Sequence, residues 1–138
     1  MKTIEQILQV HKLRHTDCRI EVLKTFIRKM YALSHSDLED ALGKKFDRVT
    51  LYRTLKTFSE KGVIHKVLDD EGTPKYALCS AHCTIVHSHN HVHFKCESCG
   101  HTQCIEELSI PTMQLPLGFK AKEANLLIQG LCNRCNTL

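Results

Sequence analysis

Two matched cysteine pairs, Cys96-x-x-Cys99 and Cys132-x-x-Cys135, constrain this chain more than any other feature. A Cys-x-x-Cys turn presents two thiolates to one tetrahedral ion, and two such turns complete a four-sulfur zinc site. The chain must therefore bring its end back to its middle. A closed site of this kind is structural, and it supports a unit with little core of its own. Free buried cysteines or a disulfide are the competing reading, and the repeated spacing argues against them.

The setting favours metal. The chain carries eight cysteines and ten histidines in 138 residues. Its opening, MKTIEQILQVHKLRH, has no apolar block of a secretory signal, and no run of about 18 apolar residues follows. The expectation is a cytoplasmic protein with no membrane contact, whose thiols bind metal rather than each other.

A second cluster precedes the first cysteine pair. In HSHNHVHFKCESCG, His87, His89, His91 and His93 fall at every second position. Alternate residues of a strand share a face, so the histidines would face one way and Phe94 and Cys96 the other. Two separate sites follow. His91 and His93 lie nearest the ordered core and are taken first. VIHKVL and PKYALC flank the turn-rich DDEGTP and read as a hairpin. A turn centred near Gly72 sets His65 opposite Cys79, which completes four ligands. His89, His87, His82, Cys83 and Cys104 are substitutes. Imidazole with thiolate favours Zn2+ over magnesium or calcium, and also accommodates Fe2+. A solvated histidine-rich loop with fortuitous metal affinity is the plainer alternative.

The first part of the chain reads as helical. RIEVLKTFIRKMY (19–31) places Ile20, Leu23, Phe26, Ile27 and Met30 on one stripe. SHSDLEDAL opens with Ser34 and Asp37 in a capping-box pattern, and its apolar face is Leu38, Ala41 and Leu42. DRVTLYRTLKTFSEKG (47–62) has Asp47 as N-cap and Gly62 as stop. Leu51, Leu55 and Phe58 form its inner side; Val49, Tyr52, Arg53 and Lys56 form the outer one. Further on, HVHFKC and HTQCIE read as strands, and Pro111 and Pro116 break SIPTMQLPLGF.

Three helices followed by a hairpin is the order of a winged helix-turn-helix, whose recognition helix enters the major groove of DNA. Residues 1–80 hold fifteen Lys/Arg against eleven Asp/Glu, while residues 81–138 hold four of each. The excess positive charge therefore sits in the helical part. Arg53 and Lys56 suit phosphates; Thr50 and Tyr52 suit base edges. Arg19 and Lys66 would touch the backbone. An ordinary solvated helix face is the bland reading of the same residues.

Together these segments resemble the ferric uptake regulator family of bacterial metal-dependent repressors, closest to its zinc uptake regulator branch. The carrying motifs are TDCRIEVLKTF, RVTLYRTLKTFSEKGVIHKV (with Leu51 where the family usually has Val), HVHFKCESCG and the closing CNRC. The resemblance implies an α+β fold: an N-terminal winged helix-turn-helix (1–82) and a C-terminal α/β dimerisation domain with a four-cysteine zinc site (83–138). It implies structural Zn2+ at Cys96, Cys99, Cys132 and Cys135, DNA contacts at Tyr52 and Arg53, and a homodimer on a double-stranded operator. A regulatory divalent ion, Zn2+ or else Fe2+, would sit at His65, Cys79, His91 and His93. Ala32 stands where the iron and peroxide branches place a histidine, and Cys104 stands where many members have Glu. The implied function is a zinc-responsive repressor controlling metal homeostasis genes. The alternatives are an iron- or peroxide-responsive regulator and a zinc-ribbon interaction module that does not bind DNA. An enzyme is not expected: the deaminase pattern H-x-E…P-C-x-x-C is absent and no carboxylate is motif-placed beside the histidines.

Overall fold

A computed structural model describes residues 3–67, 72–78, 92–105, 107–122 and 124–136. Its first element is a helix that the periodicity reading above does not include. α1 (Ile4–Val10) begins at Thr3, whose hydroxyl accepts the Gln6 N–H at 3.2 Å while Gln6 Oε1 accepts the Thr3 N–H at 2.9 Å. This reciprocal cap starts a seven-residue helix that buries Ile7 and Leu8.

α2 (Asp17–Lys29) is capped by Thr16 and buries Cys18, Val22, Leu23, Thr25 and Phe26. Met30 does not continue its apolar stripe as expected. It is the C-cap, in the left-handed region at φ 62°, and is 75% exposed. A short strand, β1 (Leu33–Ser34), leads into α3 (His35–Leu42), where Ser34 and Asp37 form the expected capping box. Leu38 is fully buried, whereas Ala41 is exposed. α4 (Arg48–Glu60) starts at Asp47, whose Oδ1 accepts the Thr50 N–H at 2.7 Å. It ends at Lys61, followed by Gly62 at φ 78°. Leu51, Leu55 and Phe58 face inward as read, joined by Thr54.

β2 (Ile64–Val67) and β3 (Lys75–Leu78) form the hairpin, and β1 adds to its far side, giving the order β1-β3-β2. The pairing sets His65 opposite Ala77, not Cys79. Val67 faces Lys75, a register two residues short of the one that a turn centred at Gly72 would give. That moves every cross-strand partner by two positions. The three-stranded sheet lies against α2, α3 and α4 over a core that includes Leu8, Leu23, Phe26, Leu38, Leu51, Phe58 and Ile64. The architecture is a winged helix-turn-helix.

The second sheet has the order β5-β4-β6, from β4 (Val92–Cys96), β5 (Thr102–Ile105) and β6 (Leu126–Gly130). β4 is antiparallel to β5 and parallel to β6. Residues 107–122, with Pro111 and Pro116, form neither helix nor strand. The two sheets meet at their edges. The Ala32 N–H donates to the Thr102 carbonyl at 2.6 Å, and the Tyr31 and His101 rings stack 3.7 Å apart at 7°. No helix among the described residues is long and apolar enough to cross a membrane.

Candidate metal centres and nucleic-acid face

The four sulfurs of Cys96, Cys99, Cys132 and Cys135 lie within 4.8 Å of one another. Register explains why. Cys96 ends β4 directly opposite Gly130, the last residue of parallel β6, so both Cys-x-x-Cys turns leave the same end of the sheet. The N–H groups of Cys99 and Cys132 each reach Cys96 Sγ at 3.4 Å. These bonds pull the Cys96 thiol down to about 6. Hydrogen bonding from the Cys135 backbone lowers the Cys132 thiol as well. At Cys135 the Ser98 hydroxyl pulls downward, but the neighbouring sulfurs of Cys132 and Cys96 outweigh it and push the thiol up to about 11. Acidified thiols beside a resisting one suit a site that a cation completes. The spacing fits too: a tetrahedral ion with sulfur at about 2.3 Å sets its ligands about 3.8 Å apart, and Cys99 Sγ lies 3.9 Å from Cys132 Sγ.

A second group joins the two sheets. His65 comes from β2, and His93 and Cys104 are cross-strand partners on β4 and β5. Their donor atoms also lie within 4.8 Å of one another. His65 Nε2 and His93 Nε2 are 3.2 Å apart, with rings tilted at 38°. Two imidazoles bound to a tetrahedral ion at about 2.05 Å stand about 3.3 Å apart. Both rings are buried, and burial holds His93 below the ordinary histidine range, in its neutral, metal-binding form. Cys104, half-buried, adds a soft donor that prefers zinc to hard cations.

His65 and His93 therefore meet as expected, and Cys104 moves from substitute to partner. Cys79, His91, His89, His87, His82 and Cys83 lie outside the described residues. The signal for Cys104 was the short turn after Cys96. It folds β5 back on β4 and pairs residue 104 with residue 93.

On α4, Thr50, Tyr52, Arg53 and Lys56 are exposed in a row, with Val49 and Tyr52 at 57% and 61%. Large side chains left on one helix face in this way, opposite a packed core, are free for a groove. Asp47 stays ionised at the helix start because Thr50, through its side chain and then its backbone N–H, holds the carboxyl below the usual range. Arg19 is half-buried, and its guanidinium donates to the Arg14 carbonyl at 3.0 Å. Lys66 is exposed on β2.

The sequence profile of the ferric uptake regulator family matches residues 11–128. This chain belongs to that family. Family members are metal-responsive DNA-binding transcriptional repressors and not enzymes, and the chain is a regulator of that kind. It is 31% identical to the zinc uptake regulation protein of Escherichia coli (strain K12), over 95% of this chain and 78% of that protein. It is 28% identical to a ferric uptake regulation protein of Staphylococcus epidermidis, over 94% of this chain and 91% of that one. Among solved structures, a zinc uptake regulator complexed with zinc and DNA aligns with a TM-score of 0.65 at 28% identity, over 95% of this chain and 89% of that one. Divalent metal binding is thus a property of the family, and the cysteine cluster fits a structural zinc ion.

Proposed function

We propose that this ferric uptake regulator family member is a homodimeric, cytoplasmic, zinc-sensing repressor of metal homeostasis genes. The observation that carries the reading is the His65–His93–Cys104 group, which draws donors from both sheets. A divalent ion bound there supplies a cross-link between the sheets. His65 belongs to the hairpin that follows the recognition helix, whereas His93 and Cys104 share the second sheet with Cys96. Ligands on both sides favour the arrangement in which the sheets are held together, and a metal shifts the population by its differential affinity for that arrangement.

The thiolate of Cys104, where many family members carry Glu, weights the site toward zinc over iron or manganese. We assign Cys79 and His91 as the remaining ligands on the family pattern, with His89 as their substitute. Cys96, Cys99, Cys132 and Cys135 hold the structural zinc. We assign residues 1–82 to DNA binding and 83–138 to dimerisation. Thr50, Tyr52, Arg53 and Lys56 meet the operator in the major groove, with Arg19 at the backbone. The dimer reading is supported by exposed apolar side chains gathered in one stretch: Leu108, Met113, Leu115, Leu117, Phe119 and Leu126. Large apolar side chains left exposed along one segment favour a partner surface there.

The test is operator binding at buffered free zinc, ferrous iron and manganese. Tightest binding with zinc supports the reading. Binding that iron or manganese restores at lower free concentration than zinc, or that no metal changes, overturns it.

A further inference from the structure

His35 lies outside both metal centres and outside the exposed face of α4, yet its ring has a demanding environment. It opens α3, and its two ring nitrogens reach α3 itself on one side and the start of α4 on the other. Its Nδ1 is 2.6 Å from Glu39 Oε1, and its Nε2 is 3.3 Å from the Arg48 carbonyl oxygen. Arg48 is the first residue of the recognition helix, and its Nε lies 3.3 Å from the same Glu39 oxygen. A carboxylate and a carbonyl oxygen only accept hydrogen bonds, while a neutral imidazole has one N–H. Either neutral tautomer therefore sets a ring lone pair against an oxygen. The doubly protonated ring donates to both.

We infer that His35 is a positioning residue for DNA recognition, acting as an imidazolium that clamps α3 to the entry of α4 through Glu39 and Arg48. The inference rests on the operator-binding reading above. Among the described residues, the charged groups paired with the ring or with its carboxylate partner are Glu39 on α3 and Arg48 on α4. Asp37, the carboxylate in the first turn of α3, is engaged by the Ser34 N–H at 2.9 Å. Helix-turn-helix proteins read bases with the N-terminal part of the recognition helix, so the angle at which α4 starts affects every base contact. The clamp is complete when both ring nitrogens carry a proton and is lost when one of them gives it up. The metal ligands respond in the opposite sense, since acid protonates imidazole and thiolate and weakens metal binding. At saturating zinc the two effects separate.

The experiment uses the full chain, at saturating zinc, and a duplex selected from a random-sequence library by the wild-type protein. Affinity is measured at about pH 6 and about pH 8, the range in which histidines change charge, for wild type, His35→Gln and Glu39→Gln. The ratio of affinities between the two pH values should be larger in wild type than in either variant by about three- to fivefold, the scale of a partly exposed ion pair. In parallel, nitrogen NMR of the imidazole rings in DNA-free protein should show both His35 nitrogens protonated at about pH 6. An unchanged ratio in His35→Gln overturns the inference. So does an unchanged ratio in Glu39→Gln, since simple attraction of the imidazolium to phosphate would survive that change. A single protonated nitrogen at about pH 6 overturns it as well. If the wild type selects no duplex, the repressor reading fails, and the ring-nitrogen spectra still decide the state of the clamp.

Discussion

Substituting His93 with Ala should separate sensing from folding. His93 is 1% exposed and supplies, with Cys104, the second sheet's described donors to the regulatory group. Its Nε2 stands 3.2 Å from His65 Nε2, close to the spacing one tetrahedral ion imposes. Removing an outer-shell partner of a metal ligand already costs about 10- to 100-fold in metal affinity. Removing the ligand itself should cost at least about 100-fold, or roughly 2.8 kcal/mol. A metal strengthens DNA binding only through its differential affinity for the binding-competent state. The free zinc needed for half-maximal operator binding should therefore rise at least about 100-fold, while zinc at the four cysteines stays. The assay is anisotropy of labelled operator in zinc buffers, with metal content measured on the same samples. Truncating a buried ring also leaves a cavity, so Val92→Ala, the equally buried neighbour on β4, is the control. It should leave the zinc midpoint in place. A shift of less than about tenfold in His93→Ala, or an equal shift in Val92→Ala, would refute the assignment.

Other consequences are checked more simply. Arg53→Ala should weaken operator binding and lower the slope of log affinity against log salt by about one unit if Arg53 contacts phosphate; an unchanged slope removes it from the backbone contacts. Ser34→Ala loses the acceptor for the Asp37 N–H at 3.0 Å and should cost about 1 kcal/mol, read as a lower urea midpoint with unchanged slope. Cys18 is buried, and burial pushes its thiol up despite the Thr54 hydroxyl that donates to it at 3.3 Å. It should react with a thiol reagent only after unfolding; rapid labelling of Cys18 in the folded protein would contradict its place in the core.

What the sequence made legible follows the strength of each local signal. Asp47 and Ser34 are side-chain caps at fixed offsets from apolar faces, and α3 and α4 start where they say. The paired Cys-x-x-Cys spacing encodes its own geometry, so the cysteine cluster needed no tertiary information. α1 escaped because seven residues hold only two buried side chains, too few for a periodic pattern, although the Thr3/Gln6 box was there to be read. Met30 fitted the α2 stripe by spacing alone. The chain leaves the helix at Lys29, and spacing does not register a change of backbone region. The hairpin register turned on where its turn is centred, and a difference of two residues moved His65 from Cys79 to Ala77. Cys104 and the Tyr31–His101 stack depend on how β5 folds back and where the two sheets touch. Those facts are set by long-range packing and have no period in the sequence.

The central claim is that the two metal groups have different duties. The measurement that tests it most directly is the metal content of anaerobically purified protein before and after mild chelation, with operator binding followed on both samples. The account predicts one zinc per chain that resists chelation and a second metal that leaves together with DNA binding, and zinc as the metal that restores it. Loss of all metal in a single step with the fold, or operator binding indifferent to the second metal, would contradict it.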